Sequence, residues 1–145
     1  MEKTFIVFVC LFSSLLLQSQ ENFNTKKGIA IDGYDVVSYF EGKAEKGSDQ
    51  FSAVHEGVTF WFTNEAHQMA FQEHPDQYVP QYGGYCAYAM AKNGAKVSIN
   101  PKTYLITDHK LYLFYNSWGT NTLKKWQEED PEALKEAADE HWEHQ

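Results

Sequence analysis

The run QFSAVHEGVTFWFTNEAHQMAFQEHP, residues 50–75, decides how the chain is to be read. Gln50 to His55 and Val58 to Phe62 are rich in aromatic and β-branched residues, and Glu56-Gly57 separates them. Two such runs joined by a two-residue turn ending in Gly read as a β-hairpin, because that turn needs positive φ and Gly adopts it without steric cost. Thr63 or Asn64 then offers a side-chain oxygen to free backbone amides, which predicts a helix through Glu73. Ala66, Met69, Ala70 and Phe71 are expected on its inner side, and Pro75 stops it.

The flanking sequence carries similar signals. Asp32 or Asp35 is placed to cap a short helix through Val36, Val37, Tyr39 and Phe40, before a Gly/Lys/Glu-rich loop at residues 41–49. Tyr82 to Lys92 reads as a second helix, entered from Gly83-Gly84 and ended near Gly94. Val97 to Ile99 reads as a strand and Asn100-Pro101 as a turn. Thr103 to Thr107 and Lys110 to Tyr115 alternate as a second hairpin about Asp108-His109. Thr122 to Glu129 and Glu132 to His144 read as helices broken at Pro131, with Trp126, Leu134, Ala138 and Trp142 buried. The expected fold is a single small α+β domain of two β-hairpins packed with short helices, plus a C-terminal helical tail.

The chain has 145 residues, enough for one core but not two. Its twelve basic residues are all Lys, against twenty acids, for a net charge of −8. Nucleic-acid binders need a basic patch, so that class is excluded. Eight acids and three Lys lie between Lys124 and Gln145, giving either a solvated helical face or a surface for a basic partner. Lys3 precedes an apolar run from Phe5 to Leu17, the length of an export-signal core and too short to span a bilayer. The expected divisions are a signal peptide at 1–19, a polar linker at 20–30, a folded domain at 31–118 and an acidic helical extension at 119–145. The mature chain is expected to be periplasmic or extracellular, without membrane association. Cys10 leaves with the signal, so Cys86 is then the single cysteine and no intrachain disulfide is possible.

Cys86 opens a helix after two glycines, where free amides and the helix dipole favour a thiolate. Such a cysteine serves as a nucleophile, a redox thiol or a soft-metal ligand; the plainer reading is a small buried hydrophobe. Tyr82, Cys86 and Met90 at i, i+4, i+8 share one helix face, and thiolate with thioether suits Cu(I). His67 and His74 lie on one helix and, with His55, offer an imidazole cluster; surface histidines are the alternative. His109 falls in a predicted turn, and His141 and His144 lie three apart in the tail. Tyr78, Tyr82, Tyr85 and Tyr88 crowd the Gly-Gly turn, as a pocket wall beside Cys86 or as packing between helix and sheet. There is no Gly-x-Ser-x-Gly elbow, phosphate loop or dinucleotide fingerprint.

The stretch Gly33-Tyr-Asp-Val-Val-Ser-Tyr-Phe40, the hairpin, Phe71 with Pro75 and Tyr78, and Pro80-Gln-Tyr-Gly-Gly-Tyr-Cys-Ala87 together resemble the YHS domain family. The likeness is greatest to the small exported bacterial YHS-domain (seleno)proteins and covers residues 28 to 118. It implies a treble-clef-like, metal-binding unit. The short YHS pattern carries Asp-Pro-x-Cys and Phe-Cys-Ser-x-x-Cys segments. Here Asp35 matches, Val36 replaces the Pro, and Ser38, Thr63 and His67 stand at the three Cys positions. Only His67 among those three is a good ligand.

The expected function is that of an exported YHS-type binding protein, more a binder than an enzyme. It would hold a soft metal ion, copper ahead of zinc, or a small ligand near Cys86 and His67, with Met90 as a third ligand. Tyr78, Tyr82 and Tyr85 would form the pocket. Two alternatives stand beside this: a thiol-redox protein whose Cys86 is resolved by a partner thiol, and a structural or interaction module with Cys86 buried.

Overall fold

The computed structural model describes residues 22–145, so the expected signal peptide lies outside the described residues. Two-residue turns organise the strands. Lys27-Gly28, Glu56-Gly57, Asp108-His109 and Trp118-Gly119 all have positive φ at both positions. That geometry matches the right-handed twist of paired strands. Around these turns run β1 (Thr25–Lys26), β2 (Ile29–Ala30), β3 (Ser48–His55), β4 (Val58–Phe62), β5 (Asn100–Thr107), β6 (Lys110–Phe114), β7 (Asn116–Ser117) and β8 (Thr120–Asn121). The first four form one sheet in the order β1-β2-β4-β3, in which β2 runs parallel to β4. The other pairs are antiparallel hairpins, β5 with β6 and β7 with β8.

The helices are α1 (Glu65–Glu73), α2 (Pro75–Tyr78), α3 (Ala87–Asn93), α4 (Thr122–Glu128) and α5 (Pro131–Glu143). The chain is α+β, as expected. Three helices start on a side-chain acceptor, Asn64 for α1, Asn121 for α4 and Asp130 for α5, whereas α3 starts at Cys86 without one. Pro75 ends α1 by occupying the first position of α2, where its missing N–H leaves no orphan.

Several expectations are corrected. Residues 25–30, read as linker, are two strands of the sheet, and Phe23 is buried against it. A two-residue strand needs few apolar residues, so a polar composition concealed it. The inner side of α1 is His67 and Phe71, whereas Ala66 and Met69 face outward. The Asn64 cap fixes the helix phase, and residues 67 and 71, four apart, then share the face toward the sheet. Tyr82, Gly83 and Gly84 have φ of 57°, 60° and 84°, so they cannot extend α3, which begins only after Cys86. The Tyr82-Cys86-Met90 face is therefore not continuous. Val97 to Ile99 forms no strand; the Val97 carbonyl instead accepts the Cys86 N–H at 2.9 Å. Asn100 and Pro101 belong to β5, at a register shift that lets the strand carry a Pro.

β6 is buried on both faces and divides the interior. Leu111 and Leu113 join Ile31, Val36, Tyr39, Phe60, Phe62 and Phe71 in one core. Tyr112 and Phe114 join Tyr82, Met90, Trp126, Leu134 and Ala138 in a second. The period of two along a strand sends alternate residues to opposite sides. The C-terminal helices thus form half of the interior, with Trp126, Leu134 and Ala138 buried as expected and Trp142 half-buried.

Candidate functional site

Asp35 lies fully buried at the start of the 3-10 turn that spans Ser38–Glu41. Its Oδ1 accepts the N–H groups of Val37 at 2.9 Å and Ser38 at 3.2 Å. Its Oδ2 accepts the Thr63 N–H at 2.9 Å, the Thr63 hydroxyl at 2.8 Å and His67 Nδ1 at 2.6 Å. Asp35 therefore caps the turn, as the sequence suggested, and also ties it to the end of β4 and to α1. On the other side of the imidazole, His67 Nε2 meets Glu41 Oε1 at 3.1 Å. Burial opposes a charge on His67, but the hydrogen bond and charge of Asp35, with those of Glu41, outweigh it and hold the imidazole above its ordinary range. With only 11% of its side chain exposed, the His67 ring is clamped between two carboxylates.

The three positions where the YHS resemblance places thiolates converge here. The Ser38 hydroxyl donates to the Asp35 carbonyl at 2.7 Å, and Thr63 and His67 both bond the Asp35 carboxylate. That chemistry does not fit a soft-metal centre. Hydroxyls replace the thiolates, both His67 nitrogens face carboxylates, and Asp35 already accepts five hydrogen bonds. Among the described residues, no group of three His, Cys, Asp or Glu side chains is arranged to hold a metal ion.

The other expected ligands lie in different surroundings. Cys86 is 0% exposed; its Sγ lies 3.3 Å from the Thr122 hydroxyl and accepts the Tyr115 N–H at 3.4 Å. Met90 is buried in the second core, its Sδ 3.9 Å from the Gln145 amide nitrogen. Neither residue shares a polar neighbour with His67. No imidazole cluster forms either: His55 packs edge-on against Phe71, and His74 is exposed at the end of α1. The Nδ1–H groups of His141 and His144 donate to the carbonyls of Met90 and Glu140, both at 2.7 Å.

Of the tyrosines expected in a pocket, Tyr82 is in one. A groove of about 590 Å³ runs between the Tyr82-Gly83 turn and α5, lined by Phe23, Val79, Pro80, Tyr82 and Trp142 with the charged residues Glu56, Lys110, Asp139 and Glu143. The Tyr82 hydroxyl donates to Asp139 Oδ1 at 2.8 Å, and Lys135 holds Oδ2 at 2.7 Å. Burial and then the Asp139 bond raise the ionisation of Tyr82 beyond the ordinary tyrosine range, so it remains a donor. Tyr78 instead packs on Phe40, and the Tyr85 hydroxyl donates to the Phe23 carbonyl at 3.1 Å. The sequence reading missed Glu41, Asp139, Trp142 and Glu143 as site residues. The one available signal was Asp139 and Trp142 at i, i+3 on an amphipathic helix.

No family model matches the chain, and neither a curated protein nor a solved structure matches it.

Proposed function

We propose that the chain is an exported, non-catalytic binding module of the YHS kind, which takes a small organic ligand in the groove between Tyr82 and Trp142. The observation that carries this is the groove itself. Its volume of about 590 Å³ is in the range of small-molecule sites, and it combines aromatic walls with a fixed carboxylate. The resemblance to exported YHS proteins supports the class and the compartment. Burial of Cys86 supports a structural role for that thiol and weighs against a redox one, because an attacking thiolate needs access.

The test is a fragment screen on the chain as exported from cells, read by thermal shift and by chemical-shift change at the Trp142 indole. A binder should raise the melting temperature and move the Trp142 signal, and Trp142→Ala should weaken it. A library that leaves Trp142 unmoved at millimolar concentration overturns the proposal.

A further inference from the structure

This inference rests on the groove being a binding site and names the class of ligand it takes. We propose that the ligand is a small neutral saccharide, one or two pyranose rings held by their hydroxyls and by one apolar face. The charges of the groove are matched. Glu56, Asp139 and Glu143 line it, and three ammoniums answer them: Lys110 in the lining, Lys135 on Asp139 at 2.7 Å, and Lys96 at 5.6 Å from the Trp142 ring centre. A ligand with net charge of either sign gains little from such a lining and gives up its hydration on entry.

The lining still calls for hydrogen bonds. Carboxylates only accept and ammoniums only donate, while the carboxamides of Asn22 and Gln81, also in the lining, do both. An apolar guest would strip water from these groups and return no bond. A neutral guest must therefore donate and accept in several directions at once. Hydroxyls spread around a ring do so, because each is one donor and two acceptor sites, and their bonds to charged groups are the strong kind. Asp139 is held by Tyr82 on one oxygen and Lys135 on the other, which fixes its orientation. A carboxylate has about four acceptor sites, so Asp139 still accepts from a ligand.

The rings supply the rest. Tyr82 and Trp142 pack edge to face with centroids 6.4 Å apart and give the wall an apolar surface. A pyranose carries a face of C–H groups that packs on such a wall while its hydroxyl rim turns to the polar residues. The volume of about 590 Å³ accommodates one or two such rings.

The test titrates the chain as exported with six-membered-ring probes, followed by NMR. These are the methyl glycosides of glucose, galactose and mannose, then glucosamine as the cation, glucuronate as the anion, and cyclohexanol as the ring without the hydroxyl rim. At least one methyl glycoside should move the Trp142 indole signal and bind about fivefold tighter than cyclohexanol and than either charged sugar. Its affinity should not change when the salt is raised to about 0.5 M, which screens charge but not neutral hydrogen bonding. Glu143→Ala should weaken that glycoside severalfold and leave cyclohexanol unchanged; among the described residues Glu143 makes no ion pair that the substitution would remove. Equal or tighter binding of glucosamine, glucuronate or cyclohexanol at Trp142 overturns the saccharide assignment and leaves the groove as a binding site. No shift at Trp142 from any probe overturns the assignment and counts against the groove as well. A shift confined to residues outside the groove overturns the assignment likewise.

Discussion

Replacing Asp35 by Asn changes one atom and tests the buried cluster that joins the 3-10 turn, β4 and α1. The Asn side-chain oxygen can take over the two bonds at Oδ1, from the Val37 and Ser38 amides. Its NH₂ group then faces the Thr63 N–H, the Thr63 hydroxyl and His67 Nδ1, all of which donate to Oδ2 in the wild type. The hydroxyl can rotate and the imidazole can lose its proton, but the Thr63 amide can do neither. Hydrogen bonds to a charged group contribute about 1.5–3 kcal/mol each, and breaking a buried ion pair by removing one partner costs about 3–5 kcal/mol. The expected loss is about 4 kcal/mol, roughly a thousandfold in the folded-to-unfolded ratio. The assay is urea unfolding at pH 7 followed by tryptophan fluorescence, with the denaturant slope unchanged and the midpoint lowered. A loss below about 1 kcal/mol would refute the reasoning, because the cluster would then hold without its negative centre.

Three further outcomes are expected. His67 titrates above its usual value in the folded chain, so its contribution is fully present below pH 6.5 and is lost as pH rises through the raised value. Unfolding free energy should therefore fall as pH rises above 6.5 in the wild type, and His67→Gln should remove that component; an unchanged pH profile in the variant counts against the clamp. A Cβ on Gly84, which has φ +84°, would strike the Ile31 and Pro80 side chains, whereas one on Gly119, at φ +80°, meets nothing within 4 Å. Gly84→Ala should cost about 3 kcal/mol and Gly119→Ala about 1 kcal/mol in chemical denaturation, and equal costs would show that strain alone decides. Cys86 should react with a thiol reagent at least about a hundredfold slower in the native chain than in urea, and comparable rates would mean that its burial is transient.

The local elements were legible because their causes are local. Glu56-Gly57 dictates its turn, Asn64 and Pro75 bracket α1, and Asp130 with Pro131 starts α5 within a few residues of chain. The strand at residues 25–30 and the two-faced burial of β6 were not legible, since both depend on which elements cover them. For the same reason the phase of α1 was only partly read: Phe71 faces inward as expected, but Ala66 and Met69 looked like its companions until the Asn64 cap and the sheet turned His67 inward instead.

By itself, then, the sequence determined the α+β class, the two long hairpins, the helices at 65–73, 122–128 and 131–143 and the acidic balance of the chain. These follow from turn chemistry, caps and composition, which act over a few residues. Only the tertiary structure decided where His67 and Cys86 sit. His67 meets Asp35 across 32 residues of chain and is clamped there, while Cys86 meets Thr122 across 36 and becomes part of the interior. The groove was likewise decided in three dimensions, because Tyr82 and Asp139 are 57 residues apart. Contacts over such separations depend on how whole elements pack, and no spacing along the chain encodes that packing.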